Sequence, residues 1–280
     1  MSETTLETVA RAYCDSTSLT FHERVGEGAF KETFLVTSPE RPAALKLYKP
    51  GARNERSNRE LDAMRRCRHA SIARLYGVSQ FRYEKAVYLV QMEEFCAGGT
   101  LQQRAPLQAG DCLGIGAHLV DALQHIADLD LVHRDIKPEN LMFREKNGSV
   151  PVVVDFGLVR NLGDTSITPS WWDRGPGTPY FASPEQLNND KSLIDWRSDQ
   201  FSLGVTLAFL IFGFHPYAVR TEDPGRTVSS VGNRNGPTER FVAAATRCGL
   251  PALVRMVSPW PVKRYRTPEM LTNIWKEQGI

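Results

Sequence analysis

A dense group of polar residues at positions 132–143 has the composition of a catalytic loop. The stretch VHRDIKPENLMF carries Asp135, Lys137 and Asn140 within six positions, between apolar residues at both ends. A buried strand or helix would not hold so many charges, and an ordinary surface turn does not need apolar flanks. Because an aspartate can accept a hydroxyl proton and a nearby lysine can neutralise negative charge, the stretch is a candidate for proton-transfer chemistry.

A second acid follows an apolar strand, fifteen residues after Asn140. The segment VPVVV at 150–154 runs directly into the sequence Asp-Phe-Gly, whose acid is Asp155. Hard cations such as Mg²⁺ take oxygen ligands, and one Asp with one Asn leaves coordination positions open for phosphate oxygens. The pattern indicates metal-assisted phosphoryl transfer, in which Asp135 accepts a hydroxyl proton and Lys137 neutralises charge on the transferred group.

Together with motifs elsewhere, these stretches make the chain resemble the eukaryotic-type protein kinase family over roughly residues 21–273. HRDIKPEN resembles the catalytic loop of that family, and Asp-Phe-Gly resembles its metal-binding turn. Gly26–Phe30 resembles the start of the glycine-rich loop, AALK puts Lys46 in the place of the phosphate-binding lysine, and Ser183–Glu185 resembles the Ala-Pro-Glu element. A lone Gly-x-Gly is weak evidence, whereas eight matching residues in order with the other motifs are specific.

The resemblance implies an α+β, two-lobed protein-kinase-like fold with a small β-rich N-lobe and a larger α-helical C-lobe. It divides the chain into an N-terminal extension (1–20), an N-lobe (21–94), a hinge (95–99) and a C-lobe (100–280). The implied reaction is ATP-dependent phosphorylation of Ser and Thr hydroxyls on proteins, including autophosphorylation. ATP would bind between the lobes with Mg²⁺ as the metal cofactor.

The resemblance also implies roles for individual residues. Asp135, Lys137 and Thr178 would be catalytic, and Asn140 and Asp155 would bind the metal. The nucleotide would be bound by ten residues: Val25, Gly26, Glu27, Gly28, Ala44, Lys46, Glu60, Glu94, Cys96 and Met142. Lys137 and the sequence GTPYFASPE, which contains Thr178, resemble the serine/threonine branch.

Three scaffold contacts follow from the same resemblance. Glu60 is expected to pair with Lys46. Asp199 is expected to brace the catalytic loop from the start of the central buried helix. Arg264 is expected to form a salt bridge with Glu185.

The sequence departs from the family pattern at three places. The glycine-rich loop has Lys31 in place of its third glycine, and this lysine either contacts phosphate or faces solvent. At the hinge, spacing from the Gly-Gly pair favours Glu93 as the residue before the first hinge position, whereas hydrophobicity favours Met92. Residues 221–239, rich in Gly, Pro, Ser and Asn, are predicted to form a mobile loop in place of a helix.

An inactive pseudokinase that binds nucleotide and acts as a scaffold is the alternative function, since fold alone does not establish activity. An inactive scaffold usually lacks at least one catalytic polar residue. This chain retains all six: Lys46, Glu60, Asp135, Lys137, Asn140 and Asp155. Catalysis is therefore the favoured prediction.

The elements that must position these residues can be predicted in outline. Residues 1–20 are predicted to be helical, and strands are predicted in FHERVGEG, ETFLV, PAALKLY and KAVYLVQM. Helices are predicted for 53–68 and for GDCLGIGAHLVDALQHI, although the latter contains glycines. The uncharged stretch Phe201–Phe214 is too short to span a membrane and is predicted to be a buried helix, with Ser198 and Asp199 as N-cap residues.

Composition limits the remaining functional classes. The net charge of +2 is too balanced for a protein whose main partner is nucleic acid. Five scattered cysteines without metal-type spacing fit a reducing, cytoplasmic location, and no secretion signal is visible.

Overall fold

The computed structural model describes residues 5–28, 31–50, 62, 64–156, 160–161, 178–219 and 223–278, with only the backbone described at 160, 161 and 178. The chain folds into two units. The first consists of Met1–Arg68 and Ala73–Cys96, and the second of His69–Ile72 and Ala97–Ile280.

The first unit is built on a five-stranded antiparallel sheet. Its strands are β1 (Thr20–Glu27), β2 (Lys31–Thr37), β3 (Pro42–Tyr48), β4 (Leu75–Tyr83) and β5 (Ala86–Glu94). They are arranged in the order β1-β2-β3-β5-β4. In the central pair of strands, Ala44 lies opposite Glu93 and Lys46 lies opposite Gln91. The four predicted strand segments are confirmed.

Helix α1 (Leu6–Thr17) covers one face of this sheet, which confirms the predicted N-terminal helix. Thr5 caps the helix, since its Oγ1 accepts a hydrogen bond from the amide of Thr8 at 3.2 Å. The buried side chains of α1 recur at helical spacing and pack with those of β3, in a cluster that includes Leu6, Val9, Ala10, Cys14, Ala43, Leu45 and Leu47. Because side chains alternate along a strand, Ala44, Lys46 and Tyr48 lie on the opposite face.

The second unit is mainly helical. Its helices are α2 (Ala109–Asp128), α3 (Pro184–Leu187), α4 (Trp196–Phe212), α5 (Pro224–Gly232), α6 (Glu239–Arg247), α7 (Pro251–Met256) and α8 (Pro268–Glu277). Four short strands accompany them: β6 (Leu131–Val132), β7 (Leu141–Phe143), β8 (Pro151–Val153) and β9 (Arg160–Asn161). β7 pairs with β8 and β6 pairs with β9, both antiparallel. The candidate catalytic loop therefore connects β6 to β7, and Asp155 follows β8.

Helix α4 is buried along most of its length, as its uncharged sequence predicts. Among the helices that the structure describes, none is both long and apolar enough to cross a membrane. The prediction of its N-cap is wrong. The helix begins at Trp196, one turn earlier than expected, because Asp195 accepts a hydrogen bond from the amide of Arg197 at 2.8 Å. Ser198 and Asp199 consequently lie inside the first turn.

A glycine in α2 allows two helices to approach closely. Trp275 of α8 lies so near Gly116 that a Cβ atom there would overlap the indole ring. The indole Nε1 donates a hydrogen bond to the carbonyl oxygen of Leu113 at 3.0 Å. The glycine content of α2, which lowers helix propensity, is therefore required by packing at Gly116.

The prediction of a loop at residues 221–239 is wrong, because the described part of this segment contains α5. Asp223 caps the helix by accepting hydrogen bonds from two amides of the first turn, at 3.0 and 3.3 Å. Pro224 occupies the first helical position, where a missing N–H group costs nothing. Burial of Thr227 and Val231 then stabilises a segment whose composition alone favours a loop. Residues 221 and 222 lie outside the described residues.

Candidate active site

The candidate catalytic loop is held at its start by Asp199 of α4. The carboxylate oxygens of Asp199 accept hydrogen bonds from the backbone amides of His133 and Arg134, both at 2.7 Å. Arg134 has a φ of 69°, a left-handed conformation that is unfavourable for a non-glycine residue. The two hydrogen bonds hold this strained turn in place, which confirms the predicted bracing role of Asp199.

The loop brings Asp135, Lys137 and Asn140 together, as their spacing predicts. Lys137 Nζ lies 3.2 Å from Asp135 Oδ2. The Asn140 amide donates to the same carboxylate oxygen and to the backbone carbonyl of Asp135, both at 2.9 Å. Pro138 starts the 3₁₀ turn Pro138–Asn140 that folds the asparagine back onto the aspartate. The Asp135 carboxylate is thus fixed by a cation and an amide.

Asp155 lies two residues beyond the end of β8, where the backbone turns sharply. Its φ is 61°, again in the left-handed region. The next residue, Phe156, is fully buried and packs edge-on against His133, with ring centroids 4.8 Å apart. Burial of the Phe156 ring against His133 of the catalytic loop anchors the turn that carries Asp155.

The polar atoms of Asn140 and Asp155 suit a hard divalent cation. The Asn140 nitrogen is used in bonds to Asp135, so its carbonyl oxygen is the atom suited to a metal, and Asp155 supplies a carboxylate. In the part of the chain that the structure describes, no group of three or more His, Cys, Asp and Glu side chains could hold a metal ion. An amide oxygen and a carboxylate would leave coordination positions of such a cation open for phosphate or water oxygens.

A buried ion pair links the Ser183–Glu185 element to the C-terminal part of the second unit. Arg264 Nη1 and Nη2 donate to Glu185 Oε1 and Oε2 at 2.6 and 3.0 Å, and both side chains are fully buried. The predicted Arg264–Glu185 salt bridge is confirmed. Gln186 next to it donates to the carbonyl of Arg134 at 2.9 Å, which ties this element to the catalytic loop.

Lys46 in the first unit forms a buried ion pair with Glu93, the residue opposite Ala44 on the neighbouring strand. The two side chains are only 7% and 3% exposed. Glu60, the predicted partner of Lys46, lies outside the described residues. Sequence spacing did not predict the Lys46–Glu93 pair.

Two further polar side chains support Glu93. Gln91 Nε2 donates to Glu93 Oε2 at 3.0 Å, and the Tyr48 hydroxyl donates to Gln91 Oε1 at 2.7 Å. Gln91 Nε2 also lies 3.1 Å from the sulfur of Met64. The signal for this network is present in the sequence, because Gln91 and Glu93 alternate with the apolar residues Val90 and Met92 of β5.

The two alternatives at the hinge are resolved by the faces of the sheet. Met92 packs against the apolar cluster under α1, whereas Glu93 lies on the opposite face with Lys46. The side chain that shares a face with Lys46 is therefore Glu93, the residue that spacing places before the first hinge position.

Lys31, which replaces the third glycine of the glycine-rich loop, is neither fully exposed nor isolated. Its amine lies 5.3 Å from the ring centroid of Tyr48.

The remaining predicted nucleotide-binding residues are distributed over both units. Gly26 and Glu27 end β1, Val25 is exposed, and the amide of Gly28 donates to the Lys31 carbonyl at 2.9 Å. Ala44 and Cys96 are buried. Glu94, also in the first unit, accepts a hydrogen bond at Oε2 from the amide of Arg74 at 3.3 Å. In the second unit, Met142 lies on β7. The Thr178 side chain lies outside the described residues.

Burial shifts the pKa values of Asp199 and His215 in the second unit in opposite directions. Desolvation raises the pKa of Asp199 to about 7, although the amides of Arg134 and His133 act in the opposite direction. Desolvation lowers the pKa of His215 to about 3, so this imidazole is neutral at physiological pH. Its Nδ1 accepts a hydrogen bond from the amide of Tyr217 at 3.1 Å, which requires the neutral ring.

The sequence of the chain is similar to those of known protein kinases. Residues 19–234 match the model of the protein kinase domain. A serine/threonine-protein kinase C of Synechocystis sp. is 32% identical over 216 residues, which cover 69% of this chain and 39% of the relative. A probable myosin light chain kinase of Dictyostelium discoideum is 26% identical, covering 91% of this chain and 82% of the relative.

A solved structure of similar fold is the autoinhibited serine kinase domain of the giant muscle protein titin. Its TM-score is 0.73 with 20% identity, over 93% of this chain and 80% of that chain, so it supports the predicted α+β kinase fold alone. The chain spans only 39% of the length of the Synechocystis relative. With three quarters of its residues matched by the family model and these kinases as relatives, the chain belongs to the protein kinase family, in its serine/threonine branch.

Proposed function

We propose that the chain transfers a phosphoryl group from ATP to serine and threonine hydroxyls of protein substrates, its own included. The observation that carries this proposal is the arrangement around Asp135, whose carboxylate contacts Lys137 at 3.2 Å and Asn140 at 2.9 Å. A carboxylate held in this way can orient an acceptor hydroxyl and take its proton, while the lysine neutralises charge on the phosphoryl group.

Asn140 and Asp155 are the proposed ligands of Mg²⁺, the cation whose preference for oxygen ligands fits an amide and a carboxylate. The ion would offset negative charge on the phosphates when bound. Lys46 in the first unit is the proposed phosphate-binding lysine, and Ala44, Cys96 and Met142 the proposed adenine contacts. Thr178 is proposed to bridge Asp135 and Lys137, as the resemblance to the serine/threonine branch implies.

Retention of the polar catalytic residues favours catalysis over a scaffold role. The pseudokinase alternative would bind nucleotide without transfer. Transfer of radiolabelled phosphate from ATP to a generic basic protein distinguishes the two functions, with Asp135→Asn as the control. We expect label with the parent chain and a loss of about 10³-fold or more with Asp135→Asn, because the base acts on the transition state. Equal labelling by both chains would contradict the proposed mechanism.

We also propose a reducing, cytoplasmic location and protein partners in preference to nucleic acid. All five cysteines lie in the described part of the chain, where none of them forms a disulfide, and four of them are buried. The net charge of +2 gives no strong attraction to a polyanion. Fractionation of the source cells, followed by detection of the chain, tests the location.

A further inference from the structure

We propose that Glu93 is the positioning residue for Lys46, supported by Gln91 and Tyr48. This inference rests on the proposed function, because it takes Lys46 to be the residue that contacts the nucleotide phosphates. It differs from the sequence-based expectation, in which Glu60 has this role. All four residues belong to the first unit.

The first support is the burial of the ion pair. A lysine and a carboxylate with exposures of 7% and 3% have lost most of their hydration. Such a pair is stable only if both charges have close partners, and removal of one partner leaves an uncompensated buried charge. Glu93 is therefore needed to hold the Lys46 side chain in place at this position of the sheet.

The second support is the completeness of the hydrogen bonds around the carboxylate. Glu93 uses Oε1 for Lys46 and Oε2 for Gln91, and the Gln91 carbonyl oxygen accepts the Tyr48 hydroxyl. Each link of this series fixes the rotamer of the next, which is how outer residues orient a functional group. Lys46 has three N–H donors, so a bond to Glu93 leaves donors for phosphate oxygens.

The third support is the geometry of the strands that carry these residues. Lys46 lies directly opposite Gln91, and Glu93 lies opposite Ala44, so the lysine and the glutamate are diagonal neighbours on one face. The position of Glu93 relative to Lys46 is fixed by backbone hydrogen bonds of β3 and β5. No movement of another element is required to form the pair.

Nucleotide binding tests this role without turnover. Calorimetry would measure the affinities of ADP and adenosine for the full chain and for Glu93→Gln, Lys46→Met and the double variant. Because Lys46 would act on phosphates, we expect Glu93→Gln to weaken ADP binding about tenfold while adenosine affinity stays within about twofold. A general structural defect would weaken both ligands. In the double variant, Glu93→Gln should add nothing to Lys46→Met, since it acts through that lysine.

Glu23→Gln, the same chemical change at an exposed residue of β1, is the matched control and should change neither affinity. If Glu93→Gln does not fold, Glu93→Asp keeps the charge and shortens its reach, and is expected to weaken ADP alone. An unchanged ratio of ADP to adenosine affinity in folded Glu93→Gln or Glu93→Asp would overturn the proposal. A parent chain that binds ADP and adenosine equally would do the same. Absence of phosphate transfer by the parent chain, with these ratios as expected, would instead overturn the proposed function.

Discussion

Two lysines of this kinase, Lys137 and Lys46, are both paired with carboxylates, but the two pairs arise differently. Lys137 contacts Asp135, two residues away in the same loop. Lys46 contacts Glu93, which reaches it only through the pairing of β3 with β5. The first pair follows from a local motif that fixes its own geometry. The second depends on the strand register, so a motif search centred on Lys46 does not find it.

The largest effect is expected at Asp155, the proposed metal ligand that follows β8. Asp155→Asn should lower turnover by about 10³-fold with the fold intact, because the missing charge acts on the transition state. Steady-state phosphate transfer measures turnover, and circular dichroism checks the fold. Asp111→Asn, at an exposed acid in the first turn of α2, is the control. Near-normal turnover of Asp155→Asn would remove Asp155 from the mechanism.

A large loss of stability is expected when the buried ion pair of the second unit is broken. Arg264→Met leaves Glu185 buried without its cation and should lower the free energy of unfolding by about 3–5 kcal/mol. The double variant Arg264→Met with Glu185→Leu should recover much of this loss, since no buried charge remains. Denaturant unfolding measures both. A single variant as stable as the parent would show that the pair is not needed.

A smaller effect concerns the pH dependence of stability. The pKa of His215 is lowered to about 3 in the folded state, against about 6.5 in the unfolded chain. The neutral ring therefore contributes its full stabilisation of the fold above pH 6.5, and this stabilisation is lost as the pH falls towards 3. When the pH is lowered from 8 to 5, this imidazole should lower the free energy of unfolding by about 2 kcal/mol. Denaturant unfolding at the two pH values should show this loss in the parent chain. His215→Gln should reduce the dependence by that amount, and an unchanged dependence would contradict the assignment.

The smallest effect is expected at the end of the network behind Lys46. Tyr48→Phe removes one buried hydrogen bond of 2.7 Å to Gln91 and should cost about 1 kcal/mol of stability. ADP affinity should fall only slightly, because Glu93 and Gln91 remain. Thermal unfolding and calorimetry measure the two quantities. A loss of ADP binding as large as that of Glu93→Gln would give Tyr48 a more direct role than the one proposed.

Contacts within one short segment of the chain can be predicted from the sequence, whereas contacts set by strand pairing cannot. Asp135, Lys137 and Asn140 are predicted together because a tight turn forces residues of one short segment into contact. Asp199 and Arg264 are predicted through the resemblance, since long-range contacts leave no periodic signal of their own. Glu93 remained ambiguous with Met92 until the strand register separated the two faces.

Errors at helix boundaries have a common physical cause. Composition favoured a loop at 221–239, yet Asp223 and Pro224 supply a cap and a first turn that start a helix. In α4, Asp195 caps the helix one turn before the residues that looked most suitable, and Asp199 is used to hold the catalytic loop. Asp195 can cap α4 because Asp199 is held in its bonds to the catalytic loop, so a tertiary contact decides which of the two acids is the cap.

We propose that the chain phosphorylates serine and threonine hydroxyls, with Asp135 as the base. The most direct test incubates the chain with labelled ATP and a mixture of peptides that offer serine, threonine and tyrosine, followed by identification of the labelled residue by mass spectrometry. We predict phosphoserine and phosphothreonine with the parent chain and neither product with Asp135→Ala. Label on tyrosine alone, or equal labelling by Asp135→Ala, would contradict the account.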